Sequence, residues 1–98
     1  SIAYEKRRDI SLPQEYPIPK VEEPYILVIR AYADNPFHYE LAIGDNIIDS
    51  KTSTNIASTI PVSAYYPNLT VRFKAEEGCK LKEYQIAQFP YKPPTYRN

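Results

Sequence analysis

Tryptophan and methionine are absent from the 98 residues, glycine occurs only twice, and cysteine and histidine once each. Each shortage removes a class of function. One Cys cannot close an internal disulfide, and one Cys with one His cannot build a metal framework. A single imidazole, His38, leaves no Ser–His–Asp or Cys–His set to assemble along the sequence. No catalytic residue, no metal and no cofactor is therefore expected. No apolar run approaches the ~20 residues that a membrane-spanning helix needs, and the opening residues carry no signal-peptide pattern. Twelve basic residues cancel twelve acidic ones, so charge advertises neither nucleic acid nor an anionic membrane. Lys6-Arg7-Arg8 is the one basic cluster, and Glu5 and Asp9 flank it.

Localisation is read from the same shortages. Cys79 alone fits a reduced thiol and hence cytosolic synthesis, with a virion as a candidate destination. The start Ser1-Ile2-Ala3 in a chain without Met fits removal of an initiator Met, or equally a tag remnant or domain boundary.

What the chain has in excess is proline and tyrosine, ten of each. Proline disfavours helix interiors and central strands. Tyrosine suits surfaces that are dry at one end and wet at the other. Proline concentrates toward the ends, while tyrosine runs along the whole chain, and the prolines divide it into three zones. Residues 1–24, with Pro13, Pro17, Pro19 and Pro24, read as an extended Pro-rich arm with room for a short strand near Tyr4 or Ile10. Residues 25–89 carry the fold. Residues 90–98, with Pro90, Pro93 and Pro94 between Tyr91 and Tyr96, read as a second arm.

Periodicity in the middle zone is that of strands. Tyr25 to Ala33 is β-prone and apolar on both faces, as a central strand would be. Asp34-Asn35-Pro36 is expected to turn the chain. Phe37, Tyr39, Leu41 and Ile43 then alternate with His38, Glu40 and Ala42. Gly44-Asp45-Asn46 gives the strongest hairpin signal. Residues 50–59 are Ser/Thr-rich and read as loop or edge strand, and Pro61 confines its own segment to an edge or a strand end. Pro67-Asn68 turns into Leu69, Val71, Phe73 and Ala75 on one face, with Thr70, Arg72 and Lys74 on the other. Glu76-Glu77-Gly78 is a turn. Leu81 to Phe89 supplies a last strand whose phase needs a bulge near Lys82-Glu83; a helix over Ala75–Gln88 is the alternative. The expected fold is all-β, a small antiparallel β-sandwich of jelly-roll or Ig-like type, with extended N- and C-terminal arms.

Candidate sites lie in each of these zones. Tyr4, Tyr16, Tyr91, Pro93, Pro94, Tyr96 and Arg97 are subunit-interface candidates, because a stiff Pro-rich arm loses little entropy on docking and Tyr and Arg favour interface centres. Tyr65 and Tyr66, with Tyr32 and Tyr39 as further candidates, are aromatic platforms for a sugar. Asp45, Asn46 and Asp49 could offer oxygens to a hard cation, although the hairpin requires those turn residues in any case. Arg72 and Lys74 share a face, with Glu40 and Glu83 expected to neutralise them, and His38 falls on the polar face beside Glu40.

Two resemblances bear on function. In size, class and tail composition the chain resembles the decoration or cement proteins of tailed-phage capsids, which implies a structural subunit held by other protein subunits in a homo- or hetero-oligomeric assembly. The stretch from Tyr25 to Ile48, about a quarter of the chain, resembles the hairpin of carbohydrate-binding β-sandwich modules. Neither implies nucleic acid or a membrane as partner.

Overall fold

The two-residue turn Gly44-Asp45 joins the two longest strands, β3 (Tyr25–Ile43) and β4 (Asn46–Val62), into one antiparallel hairpin closed by Ile43 opposite Asn46. Gly44 has φ 58°, and a positive φ at the first central position is what the primed two-residue hairpin turns require. The computed structural model describes residues 3–63, 66, 68–92 and 94. Its other strands are β1 (Ala3–Ser11), β2 (Gln14–Pro17), β5 (Leu69–Lys74) and β6 (Lys80–Pro90). No helix occurs among the described residues, so Ala75–Gln88 is turn and strand and not a helix.

All pairings are antiparallel and form one sheet of order β1-β6-β3-β5-β2, with β4 on the opposite side of β3. The first half of β3 pairs with β6, from Tyr25 opposite Pro90 to Tyr32 opposite Glu83. Its second half pairs with β5, from His38 opposite Lys74 to Ile43 opposite Leu69. β1 extends β6 and β2 extends β5. Two neighbouring halves result, and they fold toward each other.

Ring contacts measure that folding. Phe73 lies opposite Tyr39 on β3, and Tyr84 lies opposite Ala31. In a flat sheet those partners would stand about 26 Å apart at 3.3 Å per residue. The two rings have centroids 5.4 Å apart. The sheet is therefore curled into a half-barrel, with its core between the two halves. One curled sheet stands where two packed sheets were expected.

The bend has a sequence cause. Between Tyr32/Asn55 and Phe37/Ser53, β3 spends Ala33-Asp34-Asn35-Pro36 while β4 spends only Thr54. Extra residues on one strand kink the ladder and increase its twist. Asp34-Asn35-Pro36, expected as a reversal, thus bends a strand that continues. Gly78 (φ 85°) lies in the turn between β5 and β6 at the same corner. The expected bulge at Lys82-Glu83 is replaced by a distortion on the neighbouring strand. Asp9 takes φ 52°, and its pair with Lys82 is missing between Arg8/Glu83 and Ile10/Leu81.

The segment expected as an N-terminal arm is extended, but its residues 3–17 are hydrogen-bonded into the sheet as β1 and β2. β1 can join because its N–H groups are free of proline; Pro13 falls between the strands and Pro17 ends β2. The Ser/Thr-rich segment is neither loop nor short strand: it forms most of the 17-residue β4, which lies at an edge as one reading had it.

Candidate interaction surface

Alternation along β3 sends Tyr25, Leu27, Ile29 and Ala31 into the core, where each is at most 4% exposed. Ile26, Val28, Arg30 and Tyr32 therefore stand on the outer face. The ladders set Phe89 beside Ile26, then Tyr4 beside Ala87 beside Val28, then Lys6 beside Gln85 beside Arg30, and finally Arg8 beside Glu83 beside Tyr32. The first two rows are apolar and the last two are charged or polar. Tyr4 is 55% exposed and Phe89 42%. A shallow cavity of about 300 Å³ runs between the rows, lined by Tyr4, Val28, Arg30, Gln85, Ala87 and Phe89.

Its polar border is fixed. Arg8 Nε donates to Glu83 Oε1 at 2.8 Å, Lys6 Nζ lies 3.5 Å from the same oxygen, and Gln85 Nε2 donates to Glu83 Oε2 at 3.0 Å. The hydrogen bond from Arg8, then that from Gln85, holds the Glu83 carboxyl below the usual carboxylate range. At the far corner Lys82 reaches Asp34 at 3.1 Å. An apolar shallow groove beside a satisfied ion cluster can receive an apolar side chain or strand from another protein. It offers no activated nucleophile.

The outer face of the second half is a closed charge network around Glu40, which is 7% exposed. Lys74 Nζ and His38 Nε2 each lie 3.2 Å from Glu40 Oε1, and Arg72 Nη1 lies 3.9 Å from Oε2. Arg72 also donates to Glu15 at 3.0 Å and to the Gly44 carbonyl at 3.3 Å. Glu40 thus neutralises Arg72 and Lys74 as expected, whereas Glu83 serves Lys6 and Arg8 instead. His38 Nδ1 is 2.9 Å from Thr52 Oγ1. Both ring nitrogens are occupied, leaving neither for Cys79, which lines the same cavity of about 610 Å³.

The remaining candidates are dispersed. Tyr16 is half-buried, its ring centroid 6.4 Å from that of Tyr84, so it completes the core rim. Tyr91 is half-buried and donates its N–H to the Pro24 carbonyl at 3.2 Å; Pro94 is exposed. Pro93, Tyr96, Arg97 and Tyr65 lie outside the described residues. Tyr66 is 40% exposed and Tyr32 44%. Tyr39 is fully buried and donates to Asp49 Oδ2 at 2.9 Å, which removes it as a sugar platform and occupies one of the cation-site carboxylates. Among the described residues no three His, Cys, Asp or Glu side chains gather as a metal would require, and no helix is long and apolar enough to cross a membrane.

Among the described interface candidates, only Tyr4 enters the apolar groove. Ile26, Val28, Ala87 and Phe89 were missed, and their signal was present: Tyr25 to Ala33 is apolar on both faces. A strand of that kind needs cover on two sides, and a single curled sheet covers only one. No protein-family model matches the chain, and no curated protein matches it in sequence.

Proposed function

We propose that this chain is a non-catalytic structural protein that docks on neighbouring protein subunits, in the manner of a decoration or cement protein on a phage capsid. The observation that carries the reading is the Tyr4–Phe89 groove. Two large exposed aromatics flank half-covered Ile26 and Val28 on one sheet face, beside an ion cluster that can set orientation. Surface apolar residues that stand together in this way mark docking sites more often than scattered ones do.

Chain geometry supports the same reading. Ala3 opposite Gln88 and Tyr25 opposite Pro90 place the start of β1 and the exit of β6 at the apolar end of this face. Segment 90–98 is proposed as an arm on its sequence alone: Pro90 ends β6 and the Tyr91 N–H is held by the Pro24 carbonyl, while Pro93 and residues 95–98 lie outside the described residues. The half-barrel then takes the place of the small sandwich expected from sequence, as a platform that presents one outer face.

The test is a double substitution, Tyr4→Ser with Phe89→Ser. Both side chains are exposed, so the melting temperature should stay nearly unchanged. Association with the native assembly should fall at least tenfold, since interface aromatics are energetic anchors. Full association by a folded double variant would contradict the proposal.

A further inference from the structure

The half-barrel has two free edges of opposite character among the described residues. One is β1 followed by β2. It carries five consecutive charges, Glu5-Lys6-Arg7-Arg8-Asp9, and then Pro13 and Pro17. Charges and prolines are the devices that stop an edge from recruiting another strand. The other edge is β4, which pairs only with β3. From Thr52 to Ile60 it has no charge and no proline, and it is composed of Thr, Ser, Ile, Asn and Ala. It offers a long row of outward N–H and C=O groups with none of that protection.

We propose that β4 is an interface between two copies of this chain, paired antiparallel about a two-fold axis at Ser58. The register is dictated by the sheet's two faces. Between Asn55 and Val62, β4 pairs regularly with β3, with Ile56, Ser58, Ile60 and Val62 facing inward. Self-pairing about Ser58 sets Ile56 against the second copy's Ile60 on that inner face, and Ala57 against the second copy's Thr59 on the outer face. Ile56 is fully buried, while Ile60 is half-buried at the rim of the core. The pairing covers Ile60 and joins the two cores across the new ladder, and apolar matching of this kind is what fixes a strand register. An axis one residue earlier, at Ala57, would put Ile56 against Ser58 and leave Ile60 without an apolar partner. A two-fold interface is self-complementary and closes, so the pair uses up both β4 edges and leaves the charged β1 edges outside. This surface is separate from the Tyr4–Phe89 groove, and neither proposal requires the other.

The experiment uses the full chain and two double variants that differ only in the charge placed at position 57. Ala57 and Thr59 are exposed on the outer face. Ala57→Lys with Thr59→Lys sets like charges opposite each other twice. Ala57→Glu with Thr59→Lys sets opposite charges there twice, and its new carboxylate also stands beside Arg30, the β3 partner of position 57. Sedimentation equilibrium should show the unmodified chain at twice its 11.3 kDa mass. The dissociation constants of the two variants should differ about tenfold, weaker for the Lys/Lys pair. In the unmodified chain, hydrogen exchange should show outward amides of residues 55–60 protected, with protection falling on dilution. A monomer at high concentration whose β4 amides exchange freely would overturn the proposal. So would a dimer indifferent to the sign of the charge at position 57.

Discussion

Phe73 is the side chain on which both halves of the sheet meet. It is fully buried, and its ring touches Phe37 edge-on at 6.0 Å, Tyr39 at 6.2 Å and Tyr84 at 5.4 Å. Phe73→Ala should cost about 3–5 kcal/mol by cavity formation. That is a large fraction of the ~5–15 kcal/mol that holds a small domain together, so urea titration should find the variant at the limit of folding. Glu83 makes a pH prediction. Its carboxyl titrates below its ordinary value of 4.5 in the folded chain, chiefly through Arg8. A depressed carboxylate stabilises the fold above its unfolded pKa, and that contribution disappears as pH falls through the lowered folded value. Acid unfolding of the unmodified chain should therefore steepen below about pH 4.5, and Glu83→Gln should flatten that slope. Sequence made some of these pairings legible and not others. The Glu40 network could be read because Glu40, Arg72 and Lys74 lie on the polar phase of two clear strands. The Glu83 cluster could not, because it depends on β1 joining the sheet, and the charged segment Glu5–Asp9 carries no apolar alternation to announce a strand.

At the scale of elements, the hairpin was the most legible feature. Its turn residues and the period-two pattern before them are local properties. Gly44 takes φ 58° with nothing within 4 Å of where a Cβ would sit, so the effect of a side chain there is purely conformational. Gly44→Ala should cost about 1 kcal/mol and Gly44→Asn less, since Asn tolerates the left-handed region; thermal unfolding of both variants measures the difference. At residues 33–36 the sequence announces an interruption, and the structure makes it a bend within one strand. Asp, Asn and Pro report that the ladder is interrupted, and whether the chain then reverses depends on strands far away in sequence. β5 and β6 take the two halves of β3 from one side, and that arrangement keeps β3 running through its own turn signal.

The whole molecule is a curled sheet whose inner face is filled and whose outer face is not. The class, all-β and antiparallel, could be read from composition and periodicity. The curl of the sheet could not, since it rests on contacts such as Phe73 with Tyr84 and Tyr16 with Tyr84 that join separate halves. The apolar residues left over on the outside, Tyr4, Ile26, Val28, Ala87 and Phe89, are the basis of the proposed docking role. At the two exposed positions, Tyr4 and Phe89, folding alone would be served as well by polar residues. Docking is probed most simply by the mass of the native particle that contains the chain, taken with and without Tyr4→Ser and Phe89→Ser. A docked subunit should be found in a particle larger than any self-association of the chain explains, and the folded double variant should be lost from it. A chain present in its native source with no other protein attached would rule docking out.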